Sequence, residues 1–590
     1  HSAVLKNSYV VTIFQIQRMS EIEFSLDDEA LSPDLFSDDN TTINNGSHLS
    51  SDESSSTSLS AIEPEPIDNI PEWKGLSMNE IRKGLGTYDC QEFPPINPSG
   101  DHTVLITLPV PTRGPPKPHP SYQVDKWSER YVRMPHSVHS LYPINQQSGN
   151  RHCRYRWEII QESLLQTFMS SHQLETAILS YNHLYAHRWN FLALHHFFSE
   201  VMEEEEVSAF FKTLLPKMVH LALQLPVLVT DAIPLLKCHS NASITLSQLQ
   251  VSSLLANAFF CTFPRRNSAS PQSEYATYSH INFNRLFSAI RKDKPNRRQS
   301  VMEKFKCIFH YFRRVTSKVP EGVITIQRRY ISKQDCPKWD NIDQKLSPLH
   351  ITSNGTIESD GAGLLQVDFA NKYVGGGVLG MGCVQEEIRF VICPELMVTM
   401  LVTEALDDTE ALIVSGIERY SKYEGYSNNF KWSGDYIDET PRDSSGRRMT
   451  TVVAIDALRF TQSALQFDIT KITRELNKAY VGFVGCDPCK DNLPAVGTGN
   501  WGCGAFRGNP KLKALLQLMA ASVAGRAMVY FTFGDTTLRD EIAAMYLHLV
   551  QQNISIARLF SLLSQYRESK THRLDFYSFL YSKTRTKSLT

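Results

Sequence analysis

From Trp157 to about Tyr311 apolar residues recur every three or four positions. "WEIIQESLLQTFM", "LALHHFFSEVM" and "AFFKTLLPKMVHLALQL" all carry this spacing, which predicts amphipathic helices packed on one another. After about Lys333 the period changes. "LLQVDFA", "ALIVSG", "TVVAIDA" and "AMVYFTF" are short β-rich runs, separated by helical stretches such as "ITRELNKAYVGF" and "PKLKALLQLMAASVAG". Strands alternating with helices predict an α/β layer fold with a parallel or mixed sheet. Such folds bind ligands in loops at the carboxyl ends of strands. No internal repeat is visible.

The remaining segments are polar or proline-rich. From about Ser20 to Pro71 the chain is Ser, Asp, Glu and Asn, with "SSDESSSTSLS" at its centre. So few apolar side chains cannot offset the entropy of ordering, so a disordered acidic leader is expected, a solvated tail before a phosphorylation platform. "LPVPTRGPPKPHP" predicts an extended segment wrapping a surface. The division expected is leader 1–71, proline-rich wrap 72–150, helical domain 151–332, α/β domain 333–570 and basic tail 571–590. Met19 is a plausible natural start, which would make residues 1–18 upstream sequence.

Composition narrows the class. A chain of 590 residues with 42% hydrophobic content and a net charge of −2 has a sizeable interior and lacks the basic excess of a dedicated nucleic-acid binder. Eleven cysteines without framework spacing point to reduced thiols. "HLALQLPVLVTDAIPLL" is broken by Gln224, two prolines and Asp231, so a buried helix and turn is expected rather than a membrane span. The opening residues make a poor signal peptide. "RKDKPNRRQS" (Arg291 to Ser300) reads as a surface loop before a nuclear-localisation signal. Cys486 and Cys489 in "CDPC" lack a second pair, so no metal site is expected there.

The chemistry concentrates in "GGGVLGMGCVQEE", Gly375 to Glu387, which follows the strand "LLQVDFA". Gly375, Gly377 and Gly380 satisfy G-x-G-x-x-G, but "NKYV" intervenes where a dinucleotide fingerprint needs a tight turn, and adjacent acids would repel a pyrophosphate. A second loop, "GTGNWGCGAFRGNP", ends in Asn509-Pro510, an N-cap and first-turn pair. Its free N–H groups suit a diphosphate. Tyr420, Tyr423, Tyr426, Tyr530, Phe531 and Phe533 offer rings for stacking, with Phe531 and Phe533 expected on one face of a strand. Glycoside hydrolysis needs a proton donor for the departing oxygen. Glu386 and Glu387 stand about 100° apart on a helix, so one would act as acid while the other holds a hydroxyl. Burial would raise a carboxyl pKa, and a helix N-terminus would lower it.

"VDFANKYVGGGVLGMGCVQEEIRF" resembles the signature of the animal-type poly(ADP-ribose) glycohydrolase family. "LLANAFFCTFPRRN", "INFNRLFSAI", "YFRRV", "RELNKAYVGF", "TGNWGCGAF" and "VYFTFGD" resemble it in the expected order, from about residue 100 to about 570. The resemblance implies a macrodomain-like α/β/α core with a mixed sheet, preceded by a mainly helical accessory domain. It implies an enzyme that cuts ribose–ribose bonds of poly(ADP-ribose), mainly from chain ends, releasing ADP-ribose, in the nucleus and cytoplasm. No cofactor, metal or membrane is implied, and a monomer is expected. Its partners would be poly(ADP-ribose) and poly(ADP-ribosyl)ated proteins.

Carried over by position, Glu387 would be the catalytic acid/base, Glu386 would hold hydroxyls of the terminal ribose, and Asp368 would orient. Asn371 would position the sugar beside Gly375, Gly376 and Gly377. Gln385 and Glu358 would meet the adenine edge, with Tyr426 and Phe533 on its face, and Ile357 would be a further substrate-binding residue. Gly504, Ala505 and Phe506 would embrace the diphosphate and distal ribose, with Asn500 nearby. A reader of the polymer that does not cut it is the competing expectation, and the paired acids argue against it. The helical domain is expected to be a scaffold rather than a polymer contact.

Overall fold

The computed structural model describes residues 72–89, 93–121, 124–145, 151–291, 293–485, 492–568 and 575–585. The acidic leader, Cys486 and Cys489, and the end of the basic tail lie outside them. The strands of the main sheet are β1 (Trp73–Gly75), β2 (His102–Val104), β3 (Ala242–Ser247), β4 (Val323–Tyr330), β5 (Leu349–Thr352), β6 (Leu365–Ala370), β7 (Glu410–Gly416), β8 (Arg448–Asp456), β9 (Val496–Gly499) and β10 (Met528–Phe531). They form one ten-stranded mixed sheet in the order β1-β5-β10-β9-β6-β8-β7-β4-β3-β2. The run from β5 to β8 is parallel. β7, β4 and β3 continue it antiparallel, and β1 pairs antiparallel with β5 at the opposite edge.

Side chains alternate across this sheet, as strand geometry demands. Leu412 and Val414 of β7, with Val452 and Ala454 of β8, enter one core; Ala411, Ile413, Val453 and Ile455 enter another. The first core is closed by α1 (Gln248–Phe259), α2 (Arg298–Ser317) and α3 (Gln385–Ile392). The second is closed by α4 (Ile469–Phe483), α5 (Pro510–Val523) and α6 (Thr536–Gln551). Buried on both faces, the parallel strands read as near-continuous apolar runs.

Two expectations change. β3 and β4 arise in the segment read as mainly helical, and they extend the sheet across the 332/333 division, so both segments share the first core. The basic "RKDKPNRRQS" is not all loop: Pro295–Arg297 form one 3-10 turn, and Arg298 begins α2. That helix places Val301, Phe305, Ile308, Phe312 and Val315 on its buried side, and the apolar stripe carries the basic residues before it into helix. Among the described residues no helix is long and apolar enough to cross a membrane.

Candidate active site

β5, β10, β9 and β6 run parallel as neighbours. The segments after them, 353–358, 532–535, 500–509 and 371–384, therefore open on one rim of the sheet. Every site residue expected from sequence falls on that rim except Asp368, which is inside β6, the first turn of α3 (Gln385, Glu386 and Glu387), and Tyr426. Tyr426 sits at the tip of a two-stranded ribbon, Ser421–Glu424 with Lys431–Asp435.

The glycine loop and the paired acids form one unit. Gly375 N–H donates to Glu386 Oε1 at 2.6 Å and Asn371 N–H to Glu386 Oε2 at 2.8 Å. Gly377 N–H donates to Glu387 Oε1 at 2.8 Å, and Val384 N–H to Glu387 Oε2 at 2.9 Å, so Glu387 also caps its own helix. Gly376 explains the run of glycines: at φ +49°, a Cβ there would lie 2.6 Å from Glu387 Oε1 and 2.7 Å from Glu386 Oε2. The 100° offset on the helix therefore does not send the two carboxylates apart. The long side chains bend back onto the same peptide, and both acids are buried.

Burial governs the electrostatics of Glu386 and Asp368. Burial, then Asp368, then Glu387 push the Glu386 carboxyl well above its ordinary range, against the two backbone N–H groups it accepts. Burial pushes Asp368 up to about 8, with Arg389 opposing and Glu387 adding. Neither Asp368 oxygen meets a donor among the described residues. Only Glu387 of the three lines a small cavity of about 20 Å³, together with Arg297, Gly382, Ser427, Asn428 and Ala505. Three loops thus converge on Glu387, while Glu386 and Asp368 lie behind it.

Other expected residues have mixed placements. Phe533 is not on the strand: β10 ends at Phe531, and Phe533 turns at φ +53° with its ring 42% exposed while Phe531 is 1% exposed. Its ring lies against Gly499, where a Cβ would meet it at 2.6 Å. Tyr426 is 55% exposed, and Tyr420 is core. Tyr423 Oη donates to Glu358, tying the ribbon to the turn that carries Glu358. The Ile357 side chain packs in the core with Leu364 and Phe531, so only its backbone remains for a ligand. Gln385 is occupied by β6: its Oε1 accepts Phe369 N–H at 2.8 Å and its Nε2 donates to Val367 C=O at 3.2 Å. Asn371 Oδ1 accepts Tyr373 N–H at 3.0 Å, closing its own turn.

In the second loop Asn500 Oδ1 accepts the Tyr530 hydroxyl at 2.9 Å. Gly504 and Ala505 are exposed, and Phe506 packs partly into the second core. Asn509 caps α5 by accepting Leu512 N–H at 3.0 Å, with Pro510 in the first turn. Sequence reasoning missed Lys304, whose ammonium lies under the glycine loop. Its signal was visible: a lysine three residues after Val301 and four before Ile308, on the apolar side of α2.

Helices on both faces of a mixed sheet, with acids under a glycine loop at the strand ends, define a catalytic macro fold joined to a helical domain. Residues 336–540 match the family model described as "Poly (ADP-ribose) glycohydrolase (PARG), Macro domain fold", and residues 202–328 match its "helical domain". The chain is 32% identical over 468 residues to "Poly(ADP-ribose) glycohydrolase 1" of Arabidopsis thaliana, covering 65% of this chain and 83% of that protein. It is 35% identical over 335 residues to "Poly(ADP-ribose) glycohydrolase 2" of Caenorhabditis elegans, covering 55% of this chain and 64% of that one. The chain belongs to the poly(ADP-ribose) glycohydrolase family and is an enzyme of that class.

Proposed function

We propose that the chain releases ADP-ribose from the ends of poly(ADP-ribose), with Glu387 as the acid and base. The observation that carries this is the cavity where Glu387, alone of the three buried acids, meets Ala505 and Ser427 from two other loops. The Glu387 carboxyl donates its proton to the departing ribose oxygen as the glycosidic bond breaks toward an oxocarbenium-like centre. Its carboxylate then takes a proton from the attacking water, restoring the acid. Glu386, oriented by Gly375 and Asn371 N–H groups, holds hydroxyls of the terminal ribose.

The general glycosidase template sets two carboxylates across the bond. Here both lie against Gly376 from the same side, which favours one glutamate doing the proton work. Tyr426 and Phe533, both exposed, stack on adenine, with Glu358 at its edge. The Gly504 and Ala505 N–H groups, without an acceptor among the described residues, meet the diphosphate.

Glu387→Gln should abolish turnover while ADP-ribose affinity, read by calorimetry, stays within about tenfold, because the change removes a proton donor and little contact area. Normal turnover by this variant would refute the assignment.

A further inference from the structure

We propose that Lys304 is a positioning residue of the catalytic site, and that through it the helical domain supplies a working part of that site. The proposal rests on the reading of Glu387 given above. Lys304 stands on α2 and is fully buried. Its Nζ donates to the carbonyls of Val378 at 2.9 Å, Gly380 at 2.7 Å and Gly382 at 2.7 Å, with Gly377 C=O at 3.5 Å. An ammonium has three protons, and the three short contacts use them all.

The same loop has a second face. While these carbonyls turn toward Lys304, the N–H groups of Gly375 and Gly377 turn toward Glu386 and Glu387. A chain of glycines has no side chains to fix such an arrangement and loses more conformational freedom than any other sequence when fixed. A cation gathering three carbonyls supplies the missing constraint. Without it, those carbonyls would be buried and unpaired, and they would turn to find other donors. Turning those peptides moves the Gly377 N–H that holds Glu387.

A buried lysine normally has a carboxylate partner. Among the described residues Lys304 has no ion pair, so its site is shaped for loop carbonyls and not for an acid. Burial pushes its pKa down to about 8; Cys383 and Glu387 nearby favour the charge, and Arg297 opposes it. It remains largely charged at neutral pH, facing the far side of the loop from the acids. Arg297, in the 3-10 turn that leads into α2, lines the cavity into which Glu387 opens, so the approach to α2 borders the site.

The test uses the full chain, with Lys304→Met, Lys304→Gln and Glu387→Gln beside the unaltered protein. Turnover of poly(ADP-ribose), ADP-ribose affinity and thermal melting are measured on each. Lys304→Met should lower kcat about 30- to 100-fold, the effect of a catalytic group misplaced by roughly 1 Å, with KM and ADP-ribose affinity within about threefold. A role confined to holding the fold would lower the melting temperature and leave kcat per folded molecule unchanged, and that result overturns the proposal. Should Lys304→Met not fold, Lys304→Gln decides, since its amide keeps two donors: reduced kcat at unchanged KM supports positioning, and native kcat overturns it. An inactive Glu387→Gln beside a fully active Lys304 variant overturns this inference alone. Normal turnover by Glu387→Gln would remove the reading on which it stands, and the inference with it.

Discussion

Asp368 is a buried carboxyl with no donor to either oxygen among the described residues and a pKa pushed up to about 8. A raised folded pKa means the native state holds a proton that the unfolded chain gives up. This stabilisation is complete below the ordinary carboxylate range and is lost as pH rises toward about 8. Glu386, raised by the same burial, acts in the same direction. Asp368→Asn should therefore melt at a higher temperature than the unaltered protein near neutral pH and show a flatter decline from about pH 5 to 8. Parallel melting curves across that window would show that Asp368 is not the group responsible. At this scale the sequence displayed where candidate chemistry gathers, because three glycines before paired acids stand out in the chain, and the structure brings those residues into one unit. It did not display their geometry: the helical offset separated Glu386 from Glu387, whereas flexible side chains and a shared set of loop N–H groups bring them together. The sequence shows Lys304 as a lysine on the apolar side of α2, but not what it binds, because its partners are carbonyls, which leave no mark in side-chain patterns.

The elements set what the rim presents. The strands β6, β7, β8 and β10 were legible as β-rich runs, buried on both sides, although β10 ends two residues before Phe533. β3 and β4 were not, since "ASITLS" and "VITIQRRY" lie in the segment whose three- and four-residue spacing reads as helix, ahead of the run of alternating strands and helices. Phe533 shows what periodicity misses. Its left-handed backbone, φ +53°, lifts the ring off the strand and over Gly499, a conformation rare for residues other than glycine and associated with binding sites. Tyr426 and Phe533 are both exposed, so truncating either removes little core. Tyr426→Ala and Phe533→Ala should each weaken ADP-ribose binding by about 1–3 kcal/mol, the worth of one base-stacking ring. The melting temperature should change little. A calorimetric titration with ADP-ribose checks this, and unaltered affinity in both variants would place adenine elsewhere.

The whole molecule is one sheet clothed by two sets of helices, and its two family-matched segments share a core. Leu412 and Val414 of β7 pack with Phe259, Phe305 and Phe312 from the helical segment, and β7 pairs with β4 from that segment along its length. Residues 333–590 alone would expose this face, with each lost Val, Leu or Phe burial worth about 1.5–3 kcal/mol. That fragment should lack a cooperative melting transition and bind a hydrophobic dye; a sharp transition would show that the macro segment folds independently. A scaffold role for the helical domain was the expectation from sequence; in the structure that domain shares a core with the macro segment and places Lys304 beneath the glycine loop. The most direct test of the account is to incubate the full chain, and its Glu387→Gln form, with labelled poly(ADP-ribose) and separate the products over time. The account predicts free ADP-ribose from the earliest times with the unaltered chain and none with Glu387→Gln. ADP-ribose release by Glu387→Gln at the unaltered rate would contradict it.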